Sequence, residues 1–382
     1  MKKLSDKNHQ AVIYTGLPNY PKGRFFAGYS LLHGPYRQQT EMGLIVRYPL
    51  VPRFNHLVFL ALNYISQLFS AILNLGRLPK SDVYFVFATS PIFVAIPAII
   101  LKYFTGRPVL IWYQDLWPDS FVAITKSSRS SVLARFLGRV TRWIYRHTDG
   151  FLIQSEAFRS ELLKAGYKKS IYYMPNWAEN IVLSSDEPQW LKLIPKNKKI
   201  LTFAGNIGYA QGLDQVLEAI ALLSSTDLHF VIVGDGSTKT SLEKQSRDLK
   251  IQDRISFLGR QAATDMPALF RRSDYLLVSL KKDHLFSLTV PSKVQAYMQA
   301  GKPIIAFIDG EGSRVVLEAN CGVAAEAENA PQLALTLKQV MSSSAAELEK
   351  MGACGQEYFK KNFTEDLIIS RIEDILLDYA NR

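Results

Sequence analysis

From Lys199 to Ala325, short apolar runs of strand length alternate with stretches of helix length, and no other feature restricts the chain as much. The strand runs are Lys199–Ala204, His229–Val233, Ile255–Leu258, Asp274–Ser279, Pro303–Phe307 and Gly322–Ala325, with helices between them, among these Leu213–Leu223 and Thr238–Leu249. Parallel neighbours are joined through a crossover, usually a helix, so the pattern predicts a doubly wound α/β sheet. The first half shows the same alternation. Asp82–Ala88 reads as a continuous apolar strand of the kind buried on both faces, followed by a helix from Thr89-Ser90-Pro91 to Phe104 and a strand at Val109–Tyr113. At 382 residues there is room for two such domains. The polar stretch Trp177–Lys198 is the predicted linker.

In open α/β sheets, ligands bind where parallel strands end. The segment Leu280–Phe307 is such an end: a strand terminus, a polar loop, a helix expected to start at Pro291 and stop at Gly301, then another strand. The free amides of that helix start favour an anion, phosphate above all, and Ser292 and Lys293 add a hydroxyl and a mobile positive charge. The plain alternative is an ordinary strand–loop–helix connection carrying a surface lysine. The turn Gly205-Asn206-Ile207-Gly208-Tyr209-Ala210-Gln211-Gly212 lets backbone approach a diphosphate with no Cβ in the way. Alone it is a weak signal. Val233–Gly236 (V-G-D-G), Phe257–Arg260 (F-L-G-R) and the Pro291-Ser292-Lys293 start strengthen it, with Lys293 and Arg260 as the nearest charges for a diphosphate. Glu311, in the turn Gly310–Ser313, is read either as a contact to a ribose or sugar hydroxyl or as an ordinary acid at a helix start.

Charge is distributed unevenly. Residues 1–195 hold 23 Lys+Arg against 11 Asp+Glu, and the remainder holds 22 against 23. A basic half suits nucleic acid or an anionic membrane, and with no nucleic-acid-binding signature the membrane is preferred. Arg135, Arg139, Arg142 and Arg146 recur at helical spacing in Ser130–Arg146, forming either a solvated face or a seat for lipid phosphates. Leu57–Leu75 is almost uncharged, with polar residues at 63, 66, 67, 70 and 74 on one helical face. That stripe argues against a bilayer span, and a helix buried in the domain is preferred over lipid contact. Cys321 and Cys354 show no metal spacing, and two cysteines point to a reducing compartment. No secretion leader is read at the N-terminus, so a cytoplasmic protein, peripheral at the inner face of the plasma membrane, is expected.

The run P-S-K-V-Q-A-Y-M-Q-A-G-K-P-I-I-A resembles the donor-sugar loop of family-4 retaining glycosyltransferases of the GT-B fold. T-G-L-P-N-Y-P-K-G (Thr15–Gly23) and D-L-W-P-D-S (Asp115–Ser120) are similar to a bacterial O-antigen and capsule subgroup resembling N-acetylfucosamine transferases. Where the wider family carries two glutamates, this chain has Leu288 and Ala296, and where many members carry Arg and Lys in the glycine loop it has Asn206 and Gln211. The resemblance implies two Rossmann-like domains facing each other across a cleft: an acceptor domain over 1–180, a donor domain over 181–363, and a helix over 364–382 packing back on the first. It implies retaining transfer of an N-acetylated amino or deoxy sugar from a nucleotide-diphosphate donor, a UDP-sugar, to a polyprenyl-diphosphate-linked glycan, without metal or cofactor and without a nucleic-acid partner.

Under this resemblance the donor residues are Gly205, Asn206, Gly208, Gln211, Gly234, Arg260, Thr289, Ser292, Lys293 and Glu311. Asn19, Tyr20 and the four arginines serve acceptor and membrane. Asp115, a carboxylate beside Trp117 in a strand-end loop, is the catalytic candidate, the alternative being a helix cap, which Asp119 or Ser120 fills more naturally. Leu4–Val12 resembles only the tail of the family's first helix, so the opening strand and its Gly-rich loop are expected to be absent from residues 1–382. A truncated, inactive nucleotide-sugar binder is the alternative function.

Overall fold

The computed structural model describes residues 2–5, 7, 9–54, 57–120, 131–178, 187–224 and 227–382. The chain forms two compact units. One comprises Met1–Gln154, Phe158–Met174 and Ile369–Arg382, the other Ser155–Ala157 and Pro175–Ile368.

In the first unit, β1 (Val12–Gly16) pairs parallel with β3 (Gly43–Tyr48), and β2 (Arg37–Thr40) pairs antiparallel on the other side of β3. A second sheet is all parallel, in the order β4 (Tyr84–Ala88), β5 (Val109–Tyr113), β6 (Gly150–Ile153), β7 (Ser170–Tyr173). The expectation of a doubly buried strand at 82–88 is corrected. Among the described residues β4 pairs only with β5, as β1 pairs only with β3, so each keeps one lateral edge without a strand. Only Ala88 of β4 is buried and Phe87 is 53% exposed, while every residue of β5 is buried.

Helices α1 (Lys2–Ser5), α2 (Leu57–Leu73), α3 (Ile96–Thr105), α4 (Val132–His147), α5 (Ala157–Lys164) and the C-terminal stretch of α14 (Glu365–Ala380) complete this half. The crossovers β4–α3–β5 and β5–α4–β6 run in the same direction, and right-handed connections place both helices on one face of the sheet. Helix α2 packs against α3 and joins that layer. In α14, Glu373 bonds Lys7 and His9 (2.8 Å to the histidine), and the Tyr379 hydroxyl donates to the Asp149 carbonyl at 3.1 Å.

The second unit is built on six parallel strands in the order β10 (Ile255–Phe257), β9 (Leu228–Val233), β8 (Lys199–Ala204), β11 (Tyr275–Ser279), β12 (Ile304–Phe307), β13 (Gly322–Ala325). Strand alternation feeds two cores: on β8, Leu201 and Phe203 join the layer under α6 (Leu213–Leu222) and α12 (Ala330–Met341). Ile200 joins the opposite layer, with Val294 and Met298 of α10 (Ser292–Ala300) and Phe359 of α13 (Ala345–Asn362). Helix α7 (Lys239–Asp248) packs on α6, and α8 (Met266–Arg272), α9 (His284–Ser287) and α11 (Glu311–Glu318) fill the remaining crossovers. Residues 187–198, polar in composition, still bury Leu191 and Ile194 in this unit's core. Residues 179–186 of the expected linker and Ser130 of the expected basic helix lie outside the described residues.

Candidate functional site

The strand order of the second unit reverses between β8 and β11, which opens a crevice at their C-terminal ends. The loop leaving β8 and the loop leaving β11 meet there. The Ser279 hydroxyl donates to the Gln211 carbonyl at 2.6 Å, and the Lys281 N–H donates to the Ala210 carbonyl at 2.9 Å. Next door, the Gly205 N–H bonds the Val233 carbonyl and the Gly234 N–H bonds the Gly259 carbonyl, at 2.9 and 2.8 Å. Glycine is required here. Gly205 and Gly234 have φ of +146° and +141°, and a Cβ on Gly234 would lie 1.8 Å from the Gly205 carbonyl oxygen.

Lys293, in the first turn of α10, reaches over this floor. Its Nζ donates to Gln211 Oε1 at 2.8 Å and stands 4.7 Å from the Phe203 ring centroid, with its chain against Gly205. Lys293 is partly buried. Burial lowers its pKa to about 8, and among the described residues no carboxylate pairs with it. A partly buried cation bonded, among the described residues, only to a neutral amide, beside open helix-start amides, is an arrangement that takes up an anion. The helix itself begins at Ser292, not at Pro291. Pro291 occupies the cap position with extended angles (φ −61°, ψ 137°), so its ring precedes the first turn.

The other sequence-predicted donor residues lie on the segments that follow the C-terminal ends of β8, β10, β11 and β12. Asn206 is exposed, its amide against Gly208. Arg260 is exposed and follows Gly259, which is tied to Gly234. The Thr289 hydroxyl donates to the Phe286 carbonyl at 3.2 Å, and Ser292 is exposed at the helix start. Glu311 is held by Arg314 at 2.9 Å and accepts from the Ser155 hydroxyl at 3.3 Å, so its carboxylate is already engaged.

Sequence reasoning gave no role to Tyr297 or Lys281. The Tyr297 hydroxyl accepts from the Ala204 N–H at 3.2 Å, where β8 turns into the glycine loop. Lys281 Nζ lies 4.0 Å from the Tyr209 ring centroid and 3.6 Å from Asp214, steadying the far side of that loop. The only signals were the Q-A-Y triplet on the helix and the K-K-D run after β11.

In the first unit, Asp115 sits in the loop after β5, half-buried, and burial raises its carboxyl pKa above the usual range. Its surroundings are rigid. The Tyr113 hydroxyl accepts from the Trp117 N–H at 2.8 Å, and the Trp117 indole donates to Ser90 at 3.1 Å. Asn19 is buried and donates to the Leu17 carbonyl at 3.1 Å, while its Oδ1 has no partner among the described residues. Tyr20 is 70% exposed, with the Arg53 guanidinium 5.2 Å from its ring. Arg135, Arg139, Arg142 and Arg146 are all exposed on one side of α4. The first three help line a cavity of about 290 Å³ with Pro118, Asp119, Ala134 and Gly138.

Helix α2 corrects an expectation. The stretch preferred as core turns its polar side inward and its apolar side outward: Asn63 is 1% exposed, and Phe69 62%.

Residues 185–358 match the family described as Glycosyl transferases group 1. The "Probable glycosyltransferase WbjE" of Pseudomonas aeruginosa is 25% identical over 325 residues, which cover 80% of this chain and 78% of that protein. The "Putative colanic acid biosynthesis glycosyl transferase WcaI" of Escherichia coli (strain K12) is 23% identical over 97% of this chain and 93% of its own length. Among solved structures, Anabaena Alr3699/HepE in complex with UDP superposes with a TM-score of 0.71 at 15% identity, covering 97% of this chain and 100% of that one. WaaG, a glycosyltransferase involved in lipopolysaccharide biosynthesis, gives 0.63 at 16% identity, with 98% and 93% covered. The chain therefore has the GT-B fold of these neighbours, and the segment 185–358, which contains every part of the glycine and lysine site, is the part that matches the group 1 glycosyltransferase family.

Proposed function

We propose that this chain transfers a sugar, with retention, from a uridine-diphosphate donor to a lipid-linked glycan during surface-polysaccharide synthesis, working at the inner face of the plasma membrane. The observation that carries the reading is Lys293: a partly buried cation, lacking an acid partner among the described residues, over a glycine floor at the sheet's switch point. Negative charge grows on the departing nucleoside diphosphate as the sugar–phosphate bond breaks. Lys293 and the amides at the start of α10 would stabilise that charge, an interaction stronger in the transition state than in the ground state. The named relatives and the UDP complex of HepE support the donor class and the pathway. Asp115, with its raised pKa, suits the acceptor side as a base or as a stabiliser of developing positive charge. The four arginines of α4 suit the phosphates of a lipid-linked acceptor or of the membrane that holds it.

Titrating the full chain with uridine, adenosine and guanosine diphosphates tests the donor site. Uridine diphosphate at about 100 times its Kd should stabilise the chain by about 2.7 kcal/mol in thermal unfolding. No stabilisation by any of the three would remove the phosphate reading. Asp115→Asn should leave that binding intact and lower UDP release from UDP-sugars, assayed with extracted lipid-linked glycans, by about a hundredfold. Binding without turnover in the unmodified chain would favour the inactive nucleotide-sugar binder instead.

A further inference from the structure

Helix α2 reverses the usual arrangement of a surface helix. Its polar side chains anchor it: Asn63 donates to the Val51 carbonyl at 2.6 Å, the Ser66 hydroxyl accepts the Val51 N–H at 2.9 Å, and Gln67 donates to the Tyr48 hydroxyl at 3.3 Å. Its apolar side chains face out, with Val58, Leu62, Ile65, Phe69 and Leu73 exposed by 58, 42, 53, 62 and 83%. Steps of three and four residues place these five on one stripe, running the length of a helix about 25 Å long. None of the residues from Leu57 to Leu73 is charged.

The stripe has company on its own layer. Helix α3 exposes Tyr103 and Phe104, and α4 exposes Val132, Leu133, Phe136 and Trp143. Tyr103 and Trp143 both pack on His147, with ring centroids 5.6 and 4.7 Å away, so the two helices share one aromatic surface. On α4 these apolar residues lie beside the arginine row, on a strip separate from the buried one of Ala134, Leu137, Thr141 and Ile144. A soluble surface rarely leaves a contiguous apolar stripe such as that of α2 bare.

We propose that α2, with the exposed aromatics of α3 and α4, embeds in the headgroup–acyl boundary of an anionic bilayer while the α4 arginines hold lipid phosphates. The occupant follows from the mixture. Apolar and aromatic side chains flanked by arginines match the layered polarity of a membrane surface. A second copy packed face to face through these helices would offer the arginine row no acidic partner, because α2, α3 and α4 carry none. The helix lies in the plane of the membrane, since no helix among the described residues is long and apolar enough to cross it. The inference goes beyond electrostatic attachment and holds whether or not the chain transfers sugar.

Co-sedimentation of the full chain with phosphatidylcholine vesicles, with and without phosphatidylglycerol, tests it. Salt raised from about 0.1 M to about 1 M shortens the screening length from ~10 Å to ~3 Å, suppressing the arginine contribution and leaving the apolar one. The unmodified chain should stay vesicle-bound at high salt. Ile65→Asp with Phe69→Asp should weaken that salt-resistant binding at least tenfold, because burying each such side chain is worth about a factor of ten or more. Leu62→Gln with Leu73→Gln should act in the same direction, and both pairs should keep the thermal midpoint and the UDP response of the unmodified chain. Changing Arg135, Arg139, Arg142 and Arg146 to Gln should abolish the preference for phosphatidylglycerol and spare the salt-resistant part. The proposal is overturned if the unmodified chain leaves the vesicles at high salt, or if both apolar variants bind as it does. Lipid-free self-association that disappears in the apolar variants, with no vesicle binding, would instead assign the face to a second copy and also overturn it.

Discussion

Gly234→Ala should unfold the second unit or abolish its proposed nucleotide site outright. The added methyl carbon would stand 1.8 Å from the Gly205 carbonyl oxygen, 2.9 Å from its carbonyl carbon and 3.5 Å from its nitrogen. All three are backbone atoms of a loop tied to β9, so no side-chain rotation relieves the clash. The backbone angle adds to the strain, because φ of +141° belongs to a region that residues with a Cβ scarcely enter. A loss of at least about 4 kcal/mol is expected, a large part of the ~5–15 kcal/mol that a typical domain has in total. Thermal or urea unfolding of the full chain reads the effect. Gly259→Ala supplies the contrast: its φ is +67°, nothing lies within 4 Å of the added carbon, and about 1–2 kcal/mol is expected. Equal stability of the two variants would show that the close approach of the two loops is not the reason for glycine at 234.

Lys293→Met should raise stability and weaken donor binding together. Burial lowers the lysine pKa from 10.5 to about 8. Below pH 8 both the folded and the unfolded chain carry the proton, and the folded state bears the full desolvation cost. Between about pH 8 and pH 10.5 the unfolded chain binds the proton more readily, so the stability of the unmodified protein rises with pH through that window. Methionine removes the cost, so the variant should gain up to about 3 kcal/mol at pH 7, and the gain should shrink as pH climbs from 8 to 10.5. Uridine diphosphate affinity should meanwhile fall by roughly 1.5–3 kcal/mol, through loss of a charge-assisted phosphate contact. The opposite signs are the diagnostic. A structural lysine would change stability and leave affinity alone, and unchanged affinity would take Lys293 out of the donor site.

The alternation of strands and helices in the second unit was legible because it is local. Apolar runs bounded by glycine and proline need no distant partner to be read, and the six strands lie within about a residue of their expected limits. The glycine loop and the Pro291-Ser292-Lys293 start were legible for the same reason: each owes its chemistry to backbone geometry that neighbouring residues set.

Three features depended on residues far apart in the chain. Lys293 meets Gln211 across 82 positions only because the strand order switches between β8 and β11. Asp82–Ala88 has the composition of a central strand, yet composition cannot say whether a partner lies on each side, and β4 has one. The polar residues of α2 revealed a helix and its stripe at 63, 66, 67, 70 and 74, because periodicity encodes which residues share a face. Which face turns inward depends on what waits there. Here Val51 and Tyr48 offer hydrogen bonds to Asn63, Ser66 and Gln67, so the polar side is buried and the apolar side is left outside.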